Sequence, residues 1–211
     1  MQYNIMLISI IKRYNLVSIE RECVQYLEKF ILCLTGMPGS GKTTVAQEIV
    51  KMGFYYISLG DVVREQTLLR GYALNDANCG SVMIALRKEL GPQAVAELSL
   101  KIFPKDRDMI VVDGIRSNYE VDLYRSVGKA RLLVIHASPQ RRFEFLESRE
   151  RSDAPSSRAD FDLRDKRELD IGVGNAIALA DEVISNNSSI QDLIQKVEQQ
   201  MRIWLEEDGF L

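Results

Sequence analysis

The stretch that most constrains this 211-residue chain is ILCLTGMPGSGKTT, residues 31 to 44, where an apolar run gives way to glycines, a lysine and a pair of threonines. A short apolar run bounded by glycine reads as a buried strand, and the glycines after it mark a sharp bend. Gly36-x-x-x-x-Gly41-Lys42-Thr43 has the spacing of a phosphate-binding loop. Glycines let successive backbone N–H groups turn toward one anion, and a helix starting next presents its positive dipole end to the same point. A strand, loop and helix joined this way need an open sheet around them, so the motif sets the fold class before the rest is read.

The remaining sequence agrees with that sheet. FILCL, FYYIS, MIVV, RLLVIH and EVIS are short β-rich runs separated by amphipathic stretches. The spacing predicts helices over 42–52, 59–70, 78–90, 92–103, 117–127, 139–150, about 175–180 and 188–205, with Gly91-Pro92 dividing the third from the fourth. Strands alternating with helices are joined by crossovers, which implies a parallel sheet covered on both faces. The expectation is a three-layer α/β P-loop NTP hydrolase/kinase fold with a parallel five-stranded sheet and a small helical lid. Residues 30–205 would form this domain, and 1–29 an extension with a helical stripe at Ile19, Cys23, Tyr26, Leu27 and Phe30.

Composition narrows the partners. A net charge of -3 and a pI near 5.4 argue against non-specific nucleic-acid binding, which needs a basic face. The apolar IMLISII is too short to span a bilayer, so no membrane role is expected. Three scattered cysteines, Cys23, Cys33 and Cys79, suit neither a disulfide framework nor a zinc site and point to the cytoplasm. Whether the chain is a monomer or a homodimer stays open.

The loop residues Gly36, Met37, Pro38, Gly39, Ser40, Gly41, Lys42, Thr43 and Thr44 are expected to hold ATP, with Lys42 reaching the β- and γ-phosphates and Thr43 a ligand of Mg²⁺. MIVVDGIR supplies Asp113 for the Mg²⁺ shell, followed by Gly114 where motor ATPases place a water-activating Glu. The γ-phosphoryl group is therefore expected to pass to an acceptor other than water. ISLGDVVR contributes Ser58, Asp61 and Arg64, and DGIR contributes Arg116, all at the carboxyl edge of the sheet. The two arginines can hold a phosphorylated small-molecule acceptor bidentately or pair with surface acids, and Ser58-x-x-Asp61 is also a plain capping box. Arg142 and Arg149 lie seven apart on one predicted helix with Phe145 and Leu146 between them. Arginines on an apolar stripe need a partner, either a phosphate delivered when a lid closes or a buried carboxylate. His136, the single histidine, reads as structural, and the mixed charges from Arg149 to Glu168 read as a salt-bridged helical pair around the turn SDAPSS.

Taken together, GMPGSGKTT, SLGDVVR, VVDGIRS and VIHASPQRRFEFL resemble adenylate kinase and its nucleoside monophosphate kinase relatives, above all the archaeal adenylate-kinase-related proteins, over about residues 30–200. The resemblance implies ATP and Mg²⁺ in the loop, Arg64 and Arg116 on the acceptor's phosphate, and a mobile lid at about 149–170. Lys42, Asp113, Arg116 and Arg149 would then form the catalytic set, with Asp61, Arg64, Arg116 and Arg142 toward the acceptor. Adenylate kinases carry Phe-Pro or Tyr-Pro before the second arginine, where this chain has Ile115. The acceptor is left open, and an ATP-binding switch or slow ATPase is the competing reading.

Overall fold

Strand β1 (Phe30–Thr35) is buried along its whole length and divides its side chains between two cores. Ile31 and Cys33 point to one, Phe30, Leu32 and Leu34 to the other, the period-two alternation of a strand covered on both faces. The computed structural model describes residues 29–148 and 157–211. From β1 the chain runs through α1 (Lys42–Lys51), β2 (Tyr55–Ser58), α2 (Leu59–Leu69), α3 (Asp76–Leu90), α4 (Ala94–Leu100) and β3 (Met109–Asp113). It continues through α5 (Asn118–Val127), β4 (Lys129–His136), α6 (Pro139–Glu147), α7 (Arg158–Ile171), α8 (Val173–Ala178), β5 (Glu182–Ser185) and α9 (Ile190–Glu207).

The five strands pair in the order β2-β3-β1-β4-β5, every pair parallel. Helices α1 and α9 cover one face, through Val45, Ala46 and Ile49 and through Leu193, Val197, Met201 and Trp204. Helices α2 to α5 cover the other, where Val62, Val82, Leu86, Val95 and Tyr124 pack on Ile57 and Val112. This is the expected three-layer α/β arrangement. Because the chain leaves β1 toward β3 and β2 and later returns to its other side at β4, the carboxyl ends of these strands border a natural crevice.

Most helix starts carry a side-chain cap. Ser58, Asn75, Ser138, Ser157 and Ser189 each accept a backbone N–H from the first turn of α2, α3, α6, α7 and α9. Asn75 explains why α3 begins two residues before the expected start, since its carbonyl oxygen satisfies Asn78 N–H at 2.8 Å. Helix α1 has no such cap and starts from Gly41. Its first N–H groups are thereby turned to the loop without a side-chain acceptor.

At the other end, α9 runs to Glu207, beyond the expected limit of the domain. Asp208 accepts Arg131 Nε at 2.8 Å, and Phe210 packs edge-on against Phe30 at 5.6 Å, so the residues after α9 are tied back to β4 and β1. The expected extension 1–29 lies outside the described residues apart from Lys29, which is buried and donates to the Arg107 carbonyl at 2.5 Å. Among the described residues no helix is long and apolar enough to cross a membrane.

Candidate functional site

The loop between β1 and α1 lies flush on strand β4. Gly36 has φ +144, and a Cβ there would stand 2.2 Å from the Ile135 carbonyl oxygen, so only glycine fits. Ser40 N–H closes the turn on the Met37 carbonyl at 3.1 Å. On the far side Asn186, just past β5, donates from Nδ2 to the Ser40 carbonyl at 2.9 Å, and its own N–H reaches the His136 carbonyl at 2.6 Å. Asn186 is nearly buried, so the loop is braced from the sheet. His136 is itself exposed, and its contribution to this brace is its backbone carbonyl.

Lys42 opens α1 and folds back over the loop, donating to the Gly36 and Met37 carbonyls at 2.6 and 3.1 Å. Burial pulls its ammonium group down to about 8; the Asp113 carboxylate opposes that fall and the Arg116 cation deepens it. A cleft opens above these groups, lined by Gly36, Lys42 and Thr43 on the loop side, Asp113 at the end of β3 and Arg116 after it, and Arg64, Arg164 and Glu168 from α2 and α7.

The segment after β3 is held in place by β1. Gly114 and Ile115 N–H both reach the Leu34 carbonyl at 3.2 Å, and Thr35 Oγ1 donates to the Ile115 carbonyl at 2.6 Å. Glu120, fully buried at the start of α5, accepts Arg116 N–H at 2.7 Å and Ser117 N–H at 3.2 Å on one oxygen. Its other oxygen takes Arg87 Nη2 at 2.6 Å. These bonds aim the Arg116 side chain into the cleft, where Nε meets Glu168 Oε2 at 2.9 Å and Nη1 meets the Gly114 carbonyl at 3.1 Å. Burial alone would raise the Glu168 carboxyl, but Arg116 and then Lys42 hold it below the ordinary range.

Asp113 Oδ2 accepts the Tyr56 hydroxyl at 3.2 Å, while Oδ1 is buried with no hydrogen-bond partner among the described residues. A buried carboxylate oxygen left in that state is costly, and a hard cation ligated by oxygen would satisfy it. Among the described residues there is no cluster of three or more His, Cys, Asp or Glu able to hold a metal by itself. A cation here would therefore need Asp113, the Thr43 hydroxyl and oxygen atoms of a ligand.

The structure thus brings Gly36, Pro38, Gly39, Lys42, Thr43, Arg64, Asp113 and Arg116 to one cleft. Others of the expected residues stand apart. Met37, Ser40, Gly41, Thr44 and Asp61 do not line it; Asp61 pairs instead with Arg64, accepting Nε at 3.0 Å, while Ser58 Oγ caps the Asp61 N–H. Only half of the anticipated capping box forms. Arg142 is buried away from the cleft, and of its two possible partners the structure supplies the carboxylate, that of Asp165. Arg149 lies outside the described residues, as do residues 150–156 of the expected lid. Two contributors, Arg164 and Glu168, escape sequence reasoning: they belong to the stretch of mixed charges, although their i,i+4 spacing puts them on one helix face. Asn186 lies in SNNSS, which resembles the loop beside adenine in the adenylate kinase relatives and is equally made of ordinary turn residues; the structure sets it against the phosphate loop at Ser40.

The sequence pattern of the AAA domain family matches residues 32–168 of this chain. The UPF0200 protein of Thermococcus gammatolerans is 41% identical over 173 residues, covering 79% of this chain and 91% of that relative. The chain belongs to the UPF0200 family. Among solved structures, TT1252 from Thermus thermophilus superposes on this UPF0200 chain with a TM-score of 0.57 at 18% identity, over 83% of this chain and 98% of its own. Shikimate kinase from Bacteroides thetaiotaomicron does so with a TM-score of 0.52 at 16% identity, over 84% and 98%. The UPF0200 chain therefore has the P-loop kinase-like fold, with its braced loop at the carboxyl end of the central strand.

Proposed function

We propose that this protein moves the γ-phosphoryl group of MgATP to a small anionic acceptor, as the adenylate-kinase-like motifs suggest. One observation carries the reading: Lys42 of the loop faces Arg64, Arg116 and Arg164 across a single cleft whose acidic strand ends in Asp113-Gly114. Phosphoryl transfer asks little covalent chemistry of the protein and depends on positioning and charge stabilisation. Backbone N–H groups of the loop and the uncapped start of α1 hold the β- and γ-phosphates, and Lys42 exchanges its two carbonyl partners for phosphate oxygens. Asp113 and Thr43 would hold Mg²⁺, which offsets charge on the β- and γ-oxygens; the unpartnered Asp113 Oδ1 suits that role. Arg116, already aimed by Glu120, takes the acceptor's anionic group in exchange for Glu168. The position after Asp113 is Gly114 and offers no carboxylate to activate water, which favours transfer over hydrolysis.

The test mixes protein, MgATP and a panel of nucleoside monophosphates, dephospho-coenzyme A and shikimate, and follows ADP release. One acceptor is expected to raise release at least about tenfold over the acceptor-free rate, the scale of an oriented second substrate. A flat panel with tight ATP binding would refute the transferase reading in favour of a switch.

Lys42 adds a pH signature. The free protein loses the Lys42 proton as pH rises through about 8, whereas a bound triphosphate favours the ammonium. Binding above that pH must therefore take up a proton, and affinity should fall toward about tenfold per pH unit. Calorimetry between pH 7 and 9, in two buffers of different ionisation enthalpy, measures both effects. An identical pH slope in Lys42→Met would show that another group is responsible.

A further inference from the structure

The buried arginine of α6 joins the phosphate loop to the helix that lines the opposite wall. Arg142 Nη1 donates both to the Pro38 carbonyl at 3.1 Å and to Asp165 Oδ1 at 2.8 Å, and Nη2 binds the other Asp165 oxygen. The guanidinium lies over the Phe161 ring, 4.8 Å from its centroid, and that ring is buried edge-on against Phe143. The residue is 3% exposed. Its helix is pressed against the loop as well: a Cβ on Gly39 would stand 2.7 Å from the Arg142 carbonyl oxygen and 2.9 Å from Leu146 Cγ.

A buried ion pair is weak support for stability, because desolvation consumes most of the Coulombic gain; its geometric fixity is what an apolar pair would lack. Here the fixed directions are informative. One leads to Pro38 inside the phosphate loop. The other leads to Asp165, which sits on α7 between Arg164 and Glu168, the two residues of that helix that line the cleft. Glu168 in turn holds Arg116. Hydrogen bonds thus run from the Pro38 carbonyl through Arg142 to Asp165, and from Glu168 to the arginine on the acceptor side, and one turn of α7 joins the two sets.

We propose that Arg142 is a positioning residue that sets α7 against the phosphate loop, so that an occupied loop fixes where Arg164, Glu168 and Arg116 stand for the acceptor. This rests on the phosphotransfer reading and names how its two half-sites are coupled. Arg142→Lys keeps the charge but replaces the planar two-nitrogen fork that grips both Asp165 oxygens by a single nitrogen, and Asp165→Asn weakens the same joint from the other side.

The test is amide exchange across residues 158–171 with and without MgATP, beside calorimetric MgATP affinity and steady-state kinetics. In the wild-type protein MgATP should slow exchange in this helix. In Arg142→Lys and Asp165→Asn the slowing should vanish while MgATP affinity stays within about threefold, and kcat should drop about tenfold with the KM for ATP little changed. A purely structural role would instead lower thermal stability and leave the exchange response to MgATP intact. The proposal is overturned if the variants keep that response, or if the wild-type helix shows none although MgATP binds. Wild-type coupling without acceptor-stimulated ADP release would sink the transferase reading and leave the positioning role standing. Absence of MgATP uptake by the wild-type protein would sink both.

Discussion

Replacing Lys42 with alanine should lower acceptor-dependent ADP release by about a thousandfold, or about 4 kcal/mol of transition-state stabilisation. The size follows from position. Lys42 is the one cation in the cleft that the loop itself carries, and it stands over the Gly36 and Met37 carbonyls where the β- and γ-phosphates would replace them. On the proposed reading, charge that spreads over the transferring group would meet an ammonium already in place. Folding should not suffer. Burial already disfavours the charged form, as the fall of its pKa to about 8 records, so the chain gains nothing from the cation in stability. In the folded chain that cost is present below pH 8 and fades as pH rises from there toward the unfolded lysine's ordinary value. The expected pair of results is lost turnover with an unchanged or higher melting temperature at pH 7. A variant that keeps its rate, or that loses rate and stability together, would refute this account of the residue.

Glu120→Ala should have the opposite profile, a large loss of stability that drags the site with it. The carboxylate is fully buried and satisfies three donors: Arg87 Nη2 and the N–H groups of Arg116 and Ser117. Alanine leaves an uncompensated cation and two orphaned amides, which costs about 3–5 kcal/mol. For a chain of this size that is a fall of about 10 °C in melting temperature. Pairing the change with Arg87→Met should restore the part due to the stranded charge and not the part due to the amides. Surviving Glu120→Ala protein should also show a raised KM for the acceptor with less change for ATP, because the amides that aim Arg116 are no longer held. Thermal unfolding of the single and double variants tests the first claim, and the split between the two KM values tests the second. A drop of under 1 kcal/mol would mean that Arg87 finds water at no cost.

What could be read from the sequence is what is local. The strand, the glycine spacing and Lys42 occupy one continuous stretch, and alternation of β-rich and amphipathic runs gave all five strands and most of the helices. Asp113, Arg116 and Arg64 were legible because Asp113 ends β3, Arg116 follows it in the connection to α5 and Arg64 lies in the helix that follows β2, all near the carboxyl edge of a parallel sheet. The rest depended on contacts between distant parts of the chain. Arg142 posed a choice between phosphate and carboxylate that only the placement of Asp165, 23 residues later, resolves. Glu120 stands in the first turn of α5 as many helix-start acids do, and nothing in its sequence neighbours announces that Arg87, 33 residues earlier, will meet it in the core. Glu168 was hidden among charges of both signs, since spacing shows that Arg164 and Glu168 share a helix face and not which face turns inward.

The brace on Ser40 has a consequence for how the chain is made. Ser40 and Asn186 are 146 residues apart, and the Ile135 carbonyl on which Gly36 rests is also synthesised long after the loop. A ribosome that has released only the first half of the protein has already delivered the whole glycine motif, but neither of the walls that shape it. Nucleotide capture should therefore appear late in translation and all at once, when β5 docks beside β4, and a truncated product that ends before Asn186 should carry the motif without the affinity.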